Sequence, residues 1–135
     1  MQGTITLLNR LRKKDSITNL DVWYKTHIQN CVYKKEKVTD VSGTNVSMGE
    51  QFTILIPFSD KYKPYREWKK LEDKSKFYTL SPQDVIILNI VDDDVTPQNI
   101  IQIKNEYEPD TCEVRSIEQV DQKLSANYEF RIGGV

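Results

Sequence analysis

Residues 51–57 read "QFTILIP", a run in which Phe52, Ile54 and Ile56 fall on one side of an extended chain and Pro57 ends the ladder. That period of two recurs, and it constrains the fold more than any other feature. In "ANYEFRI" (126–132), Tyr128, Phe130 and Ile132 alternate with Asn127, Glu129 and Arg131. In "VWYKTHIQNCVYKKEKV" (22–38), Val22, Tyr24, Thr26 and Ile28 share one face while Trp23, Lys25, His27 and Gln29 share the other, and Asn30 marks a bulge or break. "VIILNIV" (85–91) is apolar throughout, short and branched, which predicts a central strand after the turn "SPQD". "CEVRSIEQV" (112–120) and the turn "DQKLS" complete an antiparallel hairpin over 112–132. The first segment, "TITLLNRLRKK", fits a strand or a short helix equally.

Only "VTPQNIIQIKNEY" (95–107) changes period. Thr96 before Pro97 reads as a helix start, with Ile100, Ile101 and Ile103 as a partial apolar face. "TDVSGTNVSMGE" (39–50) reads as a loop pivoting on Gly43 and Gly49. Strands are not regularly alternated with helices, so the chain is expected to be one mainly β domain over 1–135. The expected form is a small antiparallel β-barrel or sandwich with one short helix and a long charged insertion at 59–80.

The 135 residues suffice for one core. No apolar run approaches the roughly 20 residues that cross a bilayer, and the basic cluster of "MQGTITLLNRLRKK" follows its apolar stretch, the reverse of a signal peptide. A cytoplasmic product is expected. Net charge is −1, but residues 1–80 carry 15 Lys and Arg against 9 Asp and Glu, whereas residues 81–135 carry 4 against 11. Such a split suits a ring in which the basic side of one subunit meets the acidic side of the next, and equally the solvated faces of a monomer.

Most catalytic signatures are absent. His27 is the one histidine, in polar company, and five glycines leave no phosphate-cradling loop. Cys31 and Cys112 are too far apart for a metal knuckle and read as core residues. Asp92, Asp93 and Asp94 lie where carboxylates often bind a metal, yet no calcium-loop spacing follows, and acids also suit a turn before a helix. No enzyme, metal or cofactor is expected.

The insertion "KYKPYREWKKLEDKSKFYTL" (61–80) is the candidate interaction site. Lys61, Lys63, Arg66, Lys69, Lys70, Lys74 and Lys76 could meet phosphates, with Tyr62, Tyr65 and Trp68 stacking on bases. Asp60, Glu67, Glu72 and Asp73 dilute that charge, however. Pro64 can open a helical turn whose Tyr65, Trp68 and Leu71 line one side, a stripe better buried against a surface than offered to bases. Docking, or covering the core, is therefore favoured over base reading.

The order of these pieces resembles the head–tail connector proteins of tailed phages of Gram-positive bacteria, the joining or stopper proteins above all. The likeness rests on "LLNRLRKKD" before the Trp-containing "DVWYKTHIQNCVYKKE", on "QFTILIP" leading to a variable loop, on "FYTLSPQDVIILNIV", and on the closing "CEVRSIEQVDQKLSANYEFRIGGV". "PYREWKKLEDKSKFYTLSPQD" is also similar to an uncharacterised family of small phage proteins from Firmicutes. One departure stands out: where many relatives carry a glycine in the turn before the central strand, this chain has Gln83 and then Asp84.

The resemblance implies a small β-barrel with long loops, made in the host cytoplasm and built into the virion neck. It would form a homo-oligomeric ring between the portal or adaptor and the tail terminator or tail tube, and help retain packaged double-stranded DNA through non-specific contacts. One loop would gate the channel: residues 39–50, with Gly43, Asn45, Met48 and Gly49, or the basic 59–80, whose Lys61, Lys63, Tyr65, Arg66, Trp68, Lys69 and Lys70 would dock or face the channel. Alternatives are another neck or tail protein, such as a tail terminator, and a single-stranded nucleic-acid module of oligonucleotide-binding type using Trp23, Lys25 and His27.

Overall fold

The alternating segments pair edge to edge and close on themselves. A computed structural model describes residues 2–16, 19–42, 45–57, 59–119 and 128–135, with side chains throughout except at 2, 38–42, 45–50, 128 and 129. Six strands, β1 (Gln2–Leu11), β2 (Val22–Ser42), β3 (Asn45–Pro57), β4 (Val85–Ile87), β5 (Thr111–Gln119) and β6 (Tyr128–Gly134), form a closed barrel in the order β1-β2-β3-β6-β5-β4. Every neighbouring pair is antiparallel. The first segment is thus a strand. The closing hairpin is β5 with β6; its turn, "DQKLS", lies outside the described residues.

Alternation follows from having one face inside. Phe52, Ile54, Ile56, Phe130 and Ile132 are buried, and they meet Ile5, Leu7 and Ile86 in the barrel interior. Each such side chain contributes about 1.5–3 kcal/mol by leaving water. β4 is apolar throughout because it is buried on both faces. Val85 and Ile87 join Leu8 in a second cluster outside the barrel, covered by Val91, Ile103 of α2 (Ile100–Glu106) and half-buried Trp23. As expected, β4 is central, pairing with both β1 and β5, but only Val85–Ile87 are strand. Leu88 to Val91 leave the ladder and are fastened to β1 through Thr6, whose Oγ1 donates to Asn89 O at 2.6 Å and accepts from Val91 N at 3.0 Å.

Asn30 does mark a bulge: it sits at φ 61° where the β1–β2 register shifts between Gly3 and Ile5. The helix begins later than the sequence implies. Thr96 and Asn99 bond each other's backbone N–H first, in a turn that holds Pro97, and α2 starts at Ile100. Ile103 is buried, whereas Ile101 points away and is 71 % exposed.

The departure at Gln83 has a physical reading. Ser81-Pro82-Gln83-Asp84 is a type II turn, with proline at its second position, Gln83 at φ 75°, and Asp84 N donating to Ser81 O at 3.1 Å. That left-handed position favours glycine. Gln83→Gly should relieve about 1 kcal/mol of backbone strain, offset by about 0.4–1 kcal/mol of added unfolded-state entropy, leaving stability nearly unchanged. Gln83→Val, β-branched at the same φ, should be clearly destabilised. Urea midpoints ranked the other way would refute the turn assignment.

Candidate functional site

Residues 59–80 do not hang free; they fold back as a cap on the barrel. Tyr78 N donates to Lys61 O at 3.0 Å and Lys63 N to Tyr78 O at 2.8 Å, so the two ends of the segment are bonded together. Tyr62 lies 4.5 Å from the ring of Phe130, centroid to centroid. Pro64, with its fixed φ, then opens the single turn α1 (Tyr65–Trp68), as its position in the sequence implies. The turn delivers Trp68 into complete burial, edge-on to Tyr24 with centroids 5.4 Å apart.

Tyr65 locks the other side. Its phenol donates to Asp15 Oδ2 at 2.9 Å and accepts from Arg12 N at 3.1 Å. The Arg12 guanidinium lies over the same ring at 5.0 Å, and Lys69 reaches Asp15 at 3.4 Å. The hydrogen bond from Tyr65, with Lys69 nearby, holds the Asp15 carboxyl below its ordinary range, while burial pushes the Tyr65 phenol up. Neither Arg12 nor Asp15 stands out in the sequence, since nothing marks a contact that spans some fifty residues.

These contacts correct part of the expected site. Trp68 is fully buried and faces neither a channel nor a partner. Tyr62 and Tyr65 are engaged within the chain, so the aromatic residues of the segment do not form a stacking platform. Lys69 pairs with Asp15, and Lys63 lies over the ring of Phe77 at 5.5 Å. Lys61, Arg66 and Lys70 remain exposed, and no ion pair engages them among the described residues. The cap's outer face is therefore of mixed charge on a fixed base, with exposed Lys61, Arg66, Lys70 and Lys76 set among exposed Asp60, Glu67, Glu72 and Asp73.

The second candidate region differs more. Residues 39–42 and 45–50 are strand: β2 and β3 continue as a two-stranded ribbon, with Glu36↔Gln51, Val38↔Gly49, Thr39↔Met48 and Ser42↔Asn45 in register. Gly43 lies outside the described residues. β1 leaves β2 at Gln2↔Val32, and β6 leaves β3 at Phe52↔Gly134, so the ribbon projects beyond the barrel. Its seven rungs from Glu36 to Ser42 extend roughly 20 Å at about 3.3 Å per residue. Lys35 braces its root against Asp110 at 2.8 Å. Because β2 also carries Tyr24, which touches Trp68, the ribbon and the cap lie at opposite ends of one strand.

The strand face proposed for base stacking is engaged within the chain, although His27 stays exposed. Lys25 Nζ donates to Asp92 O and Asp93 O at 2.9 and 3.1 Å, His27 Nε2 sits 2.9 Å from Val91 O, and Trp23 packs against the outer cluster. The acidic triplet thus serves Lys25 with its backbone. Among the described residues no group of three or more His, Cys, Asp or Glu is placed to hold a metal ion, and no helix is long and apolar enough to cross a membrane. Cys31 and Cys112 are buried and free, with both thiols pushed up to about 12 by burial.

The fold and these two regions define a closed six-stranded antiparallel β-barrel with a ribbon at one end and a folded cap at the other. Over residues 1–135 the sequence matches the model of a family of unknown function (DUF6751), and the chain belongs to that family. No curated protein and no solved structure matches it.

Proposed function

We propose that this chain is a structural protein of the phage neck, forming a ring between the portal or adaptor and the tail, joining head to tail and helping to retain packaged DNA. The observation that carries the reading is the ribbon. A barrel closes its own edges, so a single ribbon standing clear of one is an element built to meet another molecule. It lies where the resemblance to connector proteins calls for a projecting, channel-gating segment. The mixed-charge outer face of the cap, where exposed Lys61, Arg66 and Lys70 alternate with exposed Asp60, Glu67, Glu72 and Asp73, adds a surface for a polar neighbour and for weak contacts with the phosphates of passing DNA. A diluted charge suits a channel, because DNA must slide along it.

The oligonucleotide-binding alternative loses support because Lys25 and His27 are engaged by the backbone carbonyls of residues 91–93 and Trp23 packs on the outer cluster. The test is electron microscopy of particles from a phage that encodes the chain, carrying a stop codon at Trp23. Leaky or empty heads beside separate, complete tails are the expected result. Full heads with tails of irregular length would instead assign a tail terminator, and normal infectious particles would overturn the neck reading.

A further inference from the structure

The chain carries both halves of a strand-addition joint. The donor is the ribbon, whose outer edges, 36–42 on β2 and 45–51 on β3, have no second strand neighbour among the described residues. A two-stranded ribbon is marginally stable alone and gains most by adding a strand. The acceptor is β5. β4 covers it only at Thr111, Cys112 and Glu113, and Val114 is bonded to Gln83 and Asp84. From Arg115 to Gln119 its far edge is open among the described residues. Beside that edge the outer sheet face forms a shallow trough of about 360 Å³, floored by Gly133 and walled by Thr53, Ser116, Glu118 and Arg131.

Register shows that one molecule cannot join the two. Ile117 is level with Ile132 and through it with Ile54, and Gln119 is level with Phe130 and Ile56. The ribbon starts at Phe52 and runs the other way, to lower residue numbers on β3. A ribbon that continues straight moves away from its own β5 edge.

We propose that copies of this chain associate head to tail, the β2–β3 ribbon of one adding to the open β5 edge of the next. Donor and acceptor are different surfaces, so the contact is heterologous, and it closes into a ring where the rotation per subunit allows. This deepens the ring reading above by naming its contact, and rests on that reading only for the biological setting.

The test uses single-cysteine probes on the full chain. The native thiols are buried, so introduced ones react selectively. Thr39→Cys and Glu118→Cys proteins, oxidised alone and as a mixture, should give a disulfide dimer in the mixture and essentially none separately. A second variant, in which residues 38–49 are replaced by Asn-Gly joining the register partners Lys37 and Glu50, should keep the wild-type circular dichroism and sediment as a monomer at concentrations where wild type associates. Dimers of Thr39→Cys with itself would overturn the contact in favour of ribbon meeting ribbon. Association that survives the shortening would also overturn it while leaving the ring reading standing. A wild type that is monomeric up to millimolar concentration would overturn it too, and the particle experiment would then judge the neck reading alone.

Discussion

Trp68→Ala should cost about 3–5 kcal/mol of stability, the range for truncating a fully buried aromatic residue. Two effects add. The indole loses its burial and its edge-on contact with Tyr24, and the space left behind cannot collapse, because Tyr65 is held in place by Asp15 and Arg12. Among the described residues the buried indole Nε1 has no hydrogen-bond partner, so Trp68→Phe removes no hydrogen bond to them and should cost far less. Guanidinium unfolding of the three proteins gives the answer. A midpoint for the alanine variant close to wild type would mean that the cap is not part of the cooperative unit. Protease sensitivity confined to 59–80 would locate that failure.

The second large effect is a pH dependence set by Asp84. The side chain is 1 % exposed. Its carboxylate accepts from Asn9 Nδ2, Arg10 N, Ser81 N and Ser81 Oγ at 2.9, 3.0, 2.9 and 3.3 Å. All four donors favour the ionised form, yet burial outweighs them and pushes the carboxyl up from 3.8 to about 6. A raised value means that the native state binds the proton before the unfolded chain does. The resulting stabilisation is complete only below the ordinary value of 3.8 and disappears as pH rises through 6. From pH 7 down to pH 4 the protein should gain about 2 kcal/mol from this group. Asp15, Glu36 and Asp73 have the opposite sign, their lowered values withdrawing stability only as the pH falls below the ordinary carboxylate range. Urea midpoints should therefore rise on mild acidification in wild type and stay flat in Asp84→Asn. A wild-type profile that falls monotonically from pH 7 would show that Asp84 is not the controlling group.

Where a segment has one face in the barrel and one in water, its pattern could be read directly, as in β3 and β6. β4 was readable for the opposite reason, because burial on both faces leaves no polar position. The ribbon was not legible. Outside the barrel no core imposes a period of two, and Gly43, Asn45 and Gly49 supply a loop's composition. The flanking pairs Val41↔Val46 and Thr39↔Met48 were the available hairpin signal. Within 59–80, the helical turn after Pro64 and the buried side of its aromatic stripe were visible. That the stripe packs on its own barrel, against Tyr24, depends on contacts between distant residues that no local pattern encodes. Asn9 escaped for the same reason: it meets Thr79 and Asp84 across at least 70 positions of chain.

The three-residue strand β4 has a kinetic consequence. β1 can pair with β2 as soon as the first third of the chain exists, but its other edge waits for Val85, Ile86 and Ile87. Those in turn must be aligned with β5, so barrel closure joins Leu8 to a residue almost eighty positions away. Loop-closure entropy opposes such a step until nearly everything else is in place. Folding should accordingly fall in the slow, millisecond-to-second range of proteins dominated by non-local pairing. Until it finishes, the apolar inner face of β1, with Ile5 and Leu7, stays uncovered. The seam between β1 and β4 is therefore where a newly made chain is most open to wrong partners, and where a chaperone or an early right partner would shorten the wait.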